Sequence, residues 1–348
     1  MTKKILMSGN EACGEGAIIA GCKLYAGYPI TPQNELTEYM ARRMPEEGRV
    51  FIQSESEIAA INMVFGASLT GARAMTSSSS PGISLKQEGI SYIAGCELPA
   101  VIVNMMRGGP GLGNIAPAQS DYFQATKSGG HGDYHSIVLG PSSVQEMMEF
   151  TTLGFDLADK YRTPVIILGD GLIGQMMEPV TVHRPSSIVH RPLTKSWALT
   201  GCKGRKPRVI KSLWLGEGVL EAFNNKLQKK YKDIGKNETR YEALHTDDAE
   251  ILLIGYGSVA RILRSAVLKL RKKGIKAGLL RPITLWPFPG RAIGELSKRT
   301  KRIFVSEMSA GQMLEDVKLS VRGDIEVEFY GRPGGGIPND EEIIEKII

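Results

Sequence analysis

A chain of 348 residues is long enough for two domains with separate cores, at about 150 residues each. Its 42% apolar content and 40 glycines exclude a disordered chain and mark a glycine-punctuated α/β protein whose loops approach ligands or other backbone closely. The net charge of +6 is mild, and much of the excess sits in the one stretch 195–236 and does not form a stripe with interleaved aromatics, which argues against nucleic acid and reads as a solvated or partner-facing surface.

The four cysteines, Cys13, Cys22, Cys96 and Cys202, have no C-x-x-C spacing. That excludes an encoded iron-sulfur cluster or structural zinc, and reduced thiols are expected. No apolar run reaches the roughly 18 residues of a spanning helix and no signal-like segment is apparent, so a cytoplasmic protein with no membrane contact is expected.

In chain order, candidate strands fall at 23–26, 50–53, 73–76, 100–105, 137–139 and 164–168, with helices at 9–21, 32–43, 57–69, 82–95 and 143–161 between them. Strands alternating with helices of this length imply βαβ units and a parallel sheet. Across 179–207 the composition turns to Pro, His, Ser and basic residues without a period, as in a linker or extended connection. A Lys-rich helix is expected at 218–231. A second, smaller α/β unit follows, with strands at 250–256, 276–280 and 302–306 and helices at 257–273 and 311–320.

Chemistry is expected beyond the carboxyl ends of these strands, where open α/β sheets bind ligands. The segment Gly27-Tyr28-Pro29-Ile30-Thr31-Pro32 closes one strand; Pro32 suits a first helical position and Thr31 an N-cap, so it is either an ordinary turn or one side of a pocket. Thr76-Ser77-Ser78-Ser79-Ser80-Pro81-Gly82 repeats the design, with hydroxyls that cap a helix or hold polar ligand atoms. Arg107-Gly108-Gly109-Pro110 opens a glycine-rich loop that is either mobile surface or a place where a guanidinium meets a carboxylate or phosphate.

His131 and His135 stand four apart, but Gly129, Gly130 and Gly132 put them in a loop, where that spacing does not make a metal pair. Gly14-Glu15-Gly16 lacks the full glycine spacing of a dinucleotide turn. Glu57 is set in the run Gln53-Ser54-Glu55-Ser56-Glu57-Ile58-Ala59-Ala60 and enters a helix of small and apolar residues. A carboxylate there is costly to bury unless something bonds to it, and that partner need not be protein.

Together, in this order and spacing, the GYPITP turn, the Q-x-E-x-E-x-A-A run, the segment 76–82 and the Arg107 loop resemble the 2-oxoacid:ferredoxin oxidoreductases, specifically the alpha-type subunit. The resemblance implies two parallel-sheet domains: a thiamine pyrimidine-binding-type domain at 1–190 and a transketolase C-terminal-like domain at 247–348, joined by a linker and basic helical segment at 191–246. It also implies that Glu57, preferred over Glu55 for its spacing to Gly66, bonds N1′ of the aminopyrimidine of thiamine diphosphate. A carboxyl there favours the imino tautomer, whose nitrogen takes the proton from thiazolium C2; the carbanion then attacks a 2-oxo acid.

Thr31 and Arg107 are implied to face the substrate, Arg107 as partner of its carboxylate. Tyr28, Pro29, Ile30, Ser80 and Gly82 are implied to line the cofactor. The resemblance also implies that the cofactor is shared with a beta-type subunit that binds its diphosphate and magnesium, since Gly169-Asp170-Gly171 is only a fragment of such a site. It implies further that iron-sulfur clusters belong to partner subunits, that a gamma-type and a ferredoxin-like delta subunit complete the complex, that coenzyme A takes the acyl group, and that external ferredoxin takes the electrons.

Leu112 and Ile115, where the 2-oxoglutarate type has hydroxyls, and Ser79-Ser80-Pro81-Gly82 point to the branched-chain, 3-methyl-2-oxobutanoate type. The alternatives are 2-oxoglutarate or pyruvate as substrate, or a non-catalytic scaffold of the same fold.

Overall fold

The computed structural model describes residues 4–183 and 195–348. Its first part runs β1 (Lys4–Ser8), α1 (Gly9–Ile19), β2 (Leu24–Gly27), α2 (Asn34–Glu46), β3 (Val50–Gln53), α3 (Glu57–Leu69), β4 (Ala74–Ser78), α4 (Ser80–Gly95) and β5 (Ala100–Met106). It continues through α5 (Tyr122–Thr126), β6 (Ile137–Leu139), α6 (Val144–Tyr161), β7 (Pro164–Asp170), α7 (Gly171–Gln175) and β8 (Met177–Thr181). After 195 come α8 (Val219–Asn237), β9 (Tyr241–Leu244), β10 (Ile251–Ile254), α9 (Gly257–Lys272), β11 (Ala277–Pro282) and β12 (Thr284–Trp286). The chain closes with α10 (Gly290–Ser297), β13 (Arg302–Glu307), α11 (Gln312–Ser320), β14 (Glu326–Gly331) and α12 (Asp340–Ile347).

Two parallel-sheet domains result. The larger sheet has the order β12-β6-β7-β5-β4-β2-β3 and is parallel except where β12 joins β6. Its central strands β5 and β7 are buried along their whole length, so they read as continuous apolar runs, as strands covered on both faces must. The smaller sheet has the order β14-β13-β10-β11-β9, with only β9 antiparallel.

Strand order reverses beside β2. The chain moves outward from β2 to β3 through α2 and then returns across β2 to β4 through α3. Right-handed crossovers put α2 and α3 on opposite faces and leave a crevice beyond the carboxyl ends of β2 and β4.

Local chemistry corrects several expectations. Thr31 is not an N-cap and Pro32 does not start the helix: residues 30–33 form a turn closed by Gln33 N–H to the Ile30 carbonyl at 3.0 Å, and α2 begins at Asn34. The strand Met177–Thr181, paired antiparallel with β1, reaches into the start of the expected linker; residues 184–194 lie outside the described ones. Part of the basic segment's charge is paired within the chain, Lys195 with Asp159 and both Lys226 and Lys230 with Glu97.

Gly16 serves helix packing rather than a nucleotide, because a Cβ there would stand 2.3 Å from the Met148 carbonyl oxygen of α6. Asp170, from the suspected metal-site fragment, is a buried cap for two helices. It accepts from Leu172 N and Ile173 N at 3.1 Å each and from Ser258 Oγ at 2.6 Å at the start of α9, tying the second domain to the first. Among the described residues no helix is long and apolar enough to cross a membrane.

Candidate active site at the strand crossover

Glu57 is the first residue of α3. The segment leading to it is fixed at the sheet edge, where Ser54 donates to the Gly27 carbonyl through N–H (2.9 Å) and Oγ (3.1 Å). Ser56 then caps the helix, its Oγ accepting from Ala59 N at 3.2 Å. A carboxylate in the first turn suits the helix dipole. Glu57 is 7% exposed, whereas Glu55 is exposed and accepts from Ser56 Oγ.

Burial therefore separates the two glutamates. Gly66 does not: it is exposed, and a Cβ on it would meet nothing within 4 Å. No described residue donates to the Glu57 carboxylate. The carboxylate lies against Gly82 of α4, where a Cβ would stand 2.6 Å from Glu57 Oε1 and 2.1 Å from Ser78 Oγ. Only glycine leaves room for both groups.

The hydroxyl run divides into two sets. Ser77 Oγ donates to Gln33 Oε1 at 2.5 Å and meets the Tyr25 hydroxyl, which knits β4 to β2 and α2. Ser80 Oγ donates to Asp121 Oδ2 at 2.5 Å and accepts from Arg107 N at 3.0 Å, while Asn104 Nδ2 donates to the same Asp121 oxygen at 2.9 Å. Burial pushes the Asp121 carboxyl up, opposed by its bonds from Ser80 and Asn104. By contrast, Thr76 Oγ1, Ser78 Oγ and Ser79 Oγ are buried without a partner among the described residues. Ser79 occupies the N-cap position of α4 but makes no side-chain cap bond. Buried hydroxyls left unpaired call for water or a ligand.

Arg107 leaves the end of β5 and is 6% exposed. Its Nη1 donates to the Thr31 carbonyl at 2.9 Å and its Nη2 to the Leu112 carbonyl at 3.2 Å, so one side chain joins the turn after β2 to the glycine loop. Its Nε is buried and unpartnered, and no described carboxylate lies at ion-pair distance. The guanidinium charge is left for an anion.

Thr31 is half-buried and accepts a long bond, 3.4 Å, from Asn34 Nδ2. Tyr28 and Pro29 are exposed at the rim with Ile30 half-buried behind them. The structure thus groups Glu57 with Gly82, and Ser80 with Arg107 and Thr31, on one connected wall.

Sequence reasoning missed Lys86, Asn104 and Asp121. Lys86 is fully buried on α4 beside Glu57. Its signal was the four-residue spacing from Gly82, which places both on one helix face. Neither Asn104 nor Asp121 lies in a motif that marks it.

A doubly wound α/β chain with unpaired polar groups gathered at its switch point belongs to the class that binds ligands at a strand crossover. Residues 15–241 match the family described as pyruvate flavodoxin/ferredoxin oxidoreductase, thiamine diphosphate-binding. Residues 249–343 match pyruvate:ferredoxin oxidoreductase core domain II. The chain belongs to this family of 2-oxoacid:ferredoxin oxidoreductases.

It is 52% identical over 342 residues to ketoisovalerate oxidoreductase subunit VorB of Methanothermobacter thermautotrophicus, covering 98% of this chain and 96% of that one. It is 39% identical over 373 residues to 2-oxoglutarate synthase subunit KorA of the same organism, covering 100% and 99%. The solved 2-oxoglutarate:ferredoxin oxidoreductase of Magnetococcus marinus, with 2-oxoglutarate, coenzyme A and succinyl-CoA bound, superposes with a TM-score of 0.89 at 28% identity. The match covers 99% of this chain and 65% of that chain. A split-gene transketolase shares the fold, with a TM-score of 0.57 at 13% identity.

Proposed function

We propose that this subunit contributes the aminopyrimidine half of a thiamine diphosphate site, in a complex that converts 3-methyl-2-oxobutanoate and coenzyme A to the branched acyl-CoA and CO2. Two electrons pass to ferredoxin. The observation that carries this reading is the buried Glu57 carboxylate, bare of protein donors and resting on Gly82. The orphaned hydroxyls of Ser78 and Ser79 fit the polar edge of the same ring.

When bound, the cofactor supplies the carbon nucleophile and the electron sink for decarboxylation. Glu57 holds a proton at the ring nitrogen N1′, and Ser80 and Gly82 shape the floor. Tyr28, Pro29 and Ile30 form the rim toward the substrate. Thr31 faces the substrate, and Arg107 receives its carboxylate.

The loop after Arg107 carries no charged side chain, and Leu112 and Ile115 are 82% and 65% exposed. That composition suits an aliphatic tail better than the second carboxylate of 2-oxoglutarate. Relatedness to KorA keeps 2-oxoglutarate as the competing substrate. Ile58 and Met63 of α3 and Leu85 and Tyr92 of α4 are also exposed, which supports a subunit seated over these helices.

We assign the diphosphate and magnesium to a beta-type subunit and the iron-sulfur clusters to partner chains including a ferredoxin-like delta subunit. A gamma-type subunit completes the assembly. Within the chain we propose the division 1–190, 191–246 and 247–348, with β9 and β12 as cross-connections. Its free thiols suit the cytoplasm.

The test is Glu57→Gln in the assembled complex. Turnover should fall nearly to zero with the unfolding transition unchanged; retained turnover refutes the assignment. A higher kcat/KM for 2-oxoglutarate than for 3-methyl-2-oxobutanoate would overturn the substrate.

A further inference from the structure

One stripe of α4 faces α3. Gly82, Lys86 and Gly89 follow each other at four and three residues, so they share a helix face. Gly82 lies against the Glu57 carboxylate, and a Cβ on Gly89 would stand 2.6 Å from Ile61 Cγ2. These two glycines let the helices close together, and between them stands a lysine with 0% of its surface exposed. Lys86 Nζ donates to the Glu57 carbonyl oxygen at 3.3 Å, and no carboxylate among the described residues lies at ion-pair distance from it.

A buried ammonium with one carbonyl for a partner is costly, and an apolar side chain would fill the same space without that cost. The Glu57 carboxylate is the negative charge that acts on it. α3 carries no other charged residue, and β4 and β5 carry none. On α4 the other acid, Glu88, is exposed and bonded by the Tyr92 hydroxyl. On β2 the Tyr25 hydroxyl is held by Ser77 and Thr37, and on β7 Asp170 caps its two helices.

We propose that Lys86 is a positioning residue whose buried ammonium holds the Glu57 carboxyl as an anion over Gly82, ready to accept a hydrogen bond from a protonated ring nitrogen of the cofactor. It acts through Glu57 and touches neither substrate nor cofactor. The inference rests on the reading of Glu57 given above. Burial lowers the Lys86 ammonium to about 8, against the opposing pull of Glu57, so it is still charged at neutral pH.

The readout is proton uptake when thiamine diphosphate and Mg2+ bind the cofactor-stripped complex, obtained by calorimetry in buffers of different ionisation enthalpy. An anionic Glu57 must draw its shared proton from solution, so the wild type takes up close to one proton per site near neutral pH. Removing a cation beside a buried carboxylate favours its neutral form, so the pH profile of uptake should move up.

Lys86→Met and Lys86→Gln should both show the upward move, although glutamine keeps a donor for the Glu57 carbonyl. Curves that superimpose on the wild type for both variants overturn the proposal. So does a Lys86→Gln curve like the wild type beside a shifted Lys86→Met, since the bond and not the charge would then matter. If Lys86→Met does not fold, Lys86→Gln decides alone. Wild-type uptake in Glu57→Gln would instead overturn the reading of Glu57 itself.

Discussion

Lys86 should destabilise the fold it sits in. Its ammonium titrates at 10.5 in an unfolded chain and at about 8 when buried here, with burial the larger cause and Glu57 opposing it. At about 1.4 kcal/mol per unit, that difference is about 3 kcal/mol against folding at pH 7. The attraction of Glu57 is already contained in it and is counted once for the pair. Lys86→Met removes this term and keeps most of the buried stem, while losing the bond to the Glu57 carbonyl, worth about 1 kcal/mol.

The variant should therefore be more stable than the wild type by about 2 kcal/mol at neutral pH, in line with other buried charges replaced by apolar residues. Between pH 8 and 10.5 the unfolded chain holds the lysine proton more firmly than the native one, so wild-type stability rises with pH across that window relative to the variant. The gap is full below about pH 8, and above 10.5 only the lost bond is left, which makes the variant slightly the less stable of the two. Urea unfolding of the purified chain at pH 7 and pH 10, followed through Trp197 and Trp286, both packed on the larger core, reads the effect. A variant less stable than the wild type at pH 7, or a gap that does not change with pH, would show the reasoning to be wrong.

Gly82→Ala puts a methyl group 2.6 Å from Glu57 Oε1 and 2.1 Å from Ser78 Oγ. Displacing the carboxylate by even an ångström should lower kcat by about 100-fold with the chain still folded, and steady-state assay of the complex checks this. Arg107→Lys cannot fork between the Thr31 and Leu112 carbonyls and still meet a carboxylate. The KM for the 2-oxo acid should rise about tenfold, a loss of about 1.4 kcal/mol, with thiamine diphosphate affinity unchanged. An unchanged KM would count against its substrate role.

Much of the larger sheet was legible because its strands are short apolar runs set between helices of regular length. The helix 57–69 was read with its observed limits, as were the strands 50–53 and 137–139. The start of α2 was not, because Arg107, 76 residues away, takes the Thr31 carbonyl and a local rule cannot anticipate a distant partner. β9 and β12 escaped for a related reason: each is a short strand whose pairing is set by the other elements of its sheet.

Within the site, Glu57 and Gly82 were legible because each breaks its surroundings, a charge in an apolar helix and a glycine at a helix start. Lys86 was not. In the run Leu85-Lys86-Gln87-Glu88, Leu85 is exposed and Lys86 buried, against their polarity, although Ile83, Ile90 and Ile93 of the same helix are buried as apolar residues should be. Polarity predicts orientation only when burial is driven by the apolar effect, and at this one turn the buried position lies beside Glu57.

That inversion bears on why the site is unfinished in one chain. Among the described residues, the wall holds a carboxylate without a donor, an arginine without a carboxylate, three hydroxyls without partners and a lysine bonded to one carbonyl and drawn by the bare carboxylate. A chain selected for stability alone would replace each of them, since each costs on the order of 1–3 kcal/mol while unpaired. They sit together at the crossover, and beside them the outward faces of α3 and α4 expose apolar side chains. On the proposed reading, a polar ring held under a second subunit would satisfy both the unpaired polar groups and the uncovered apolar surface. Cofactor binding and subunit assembly would then favour each other, because either one alone would leave half of these groups uncompensated.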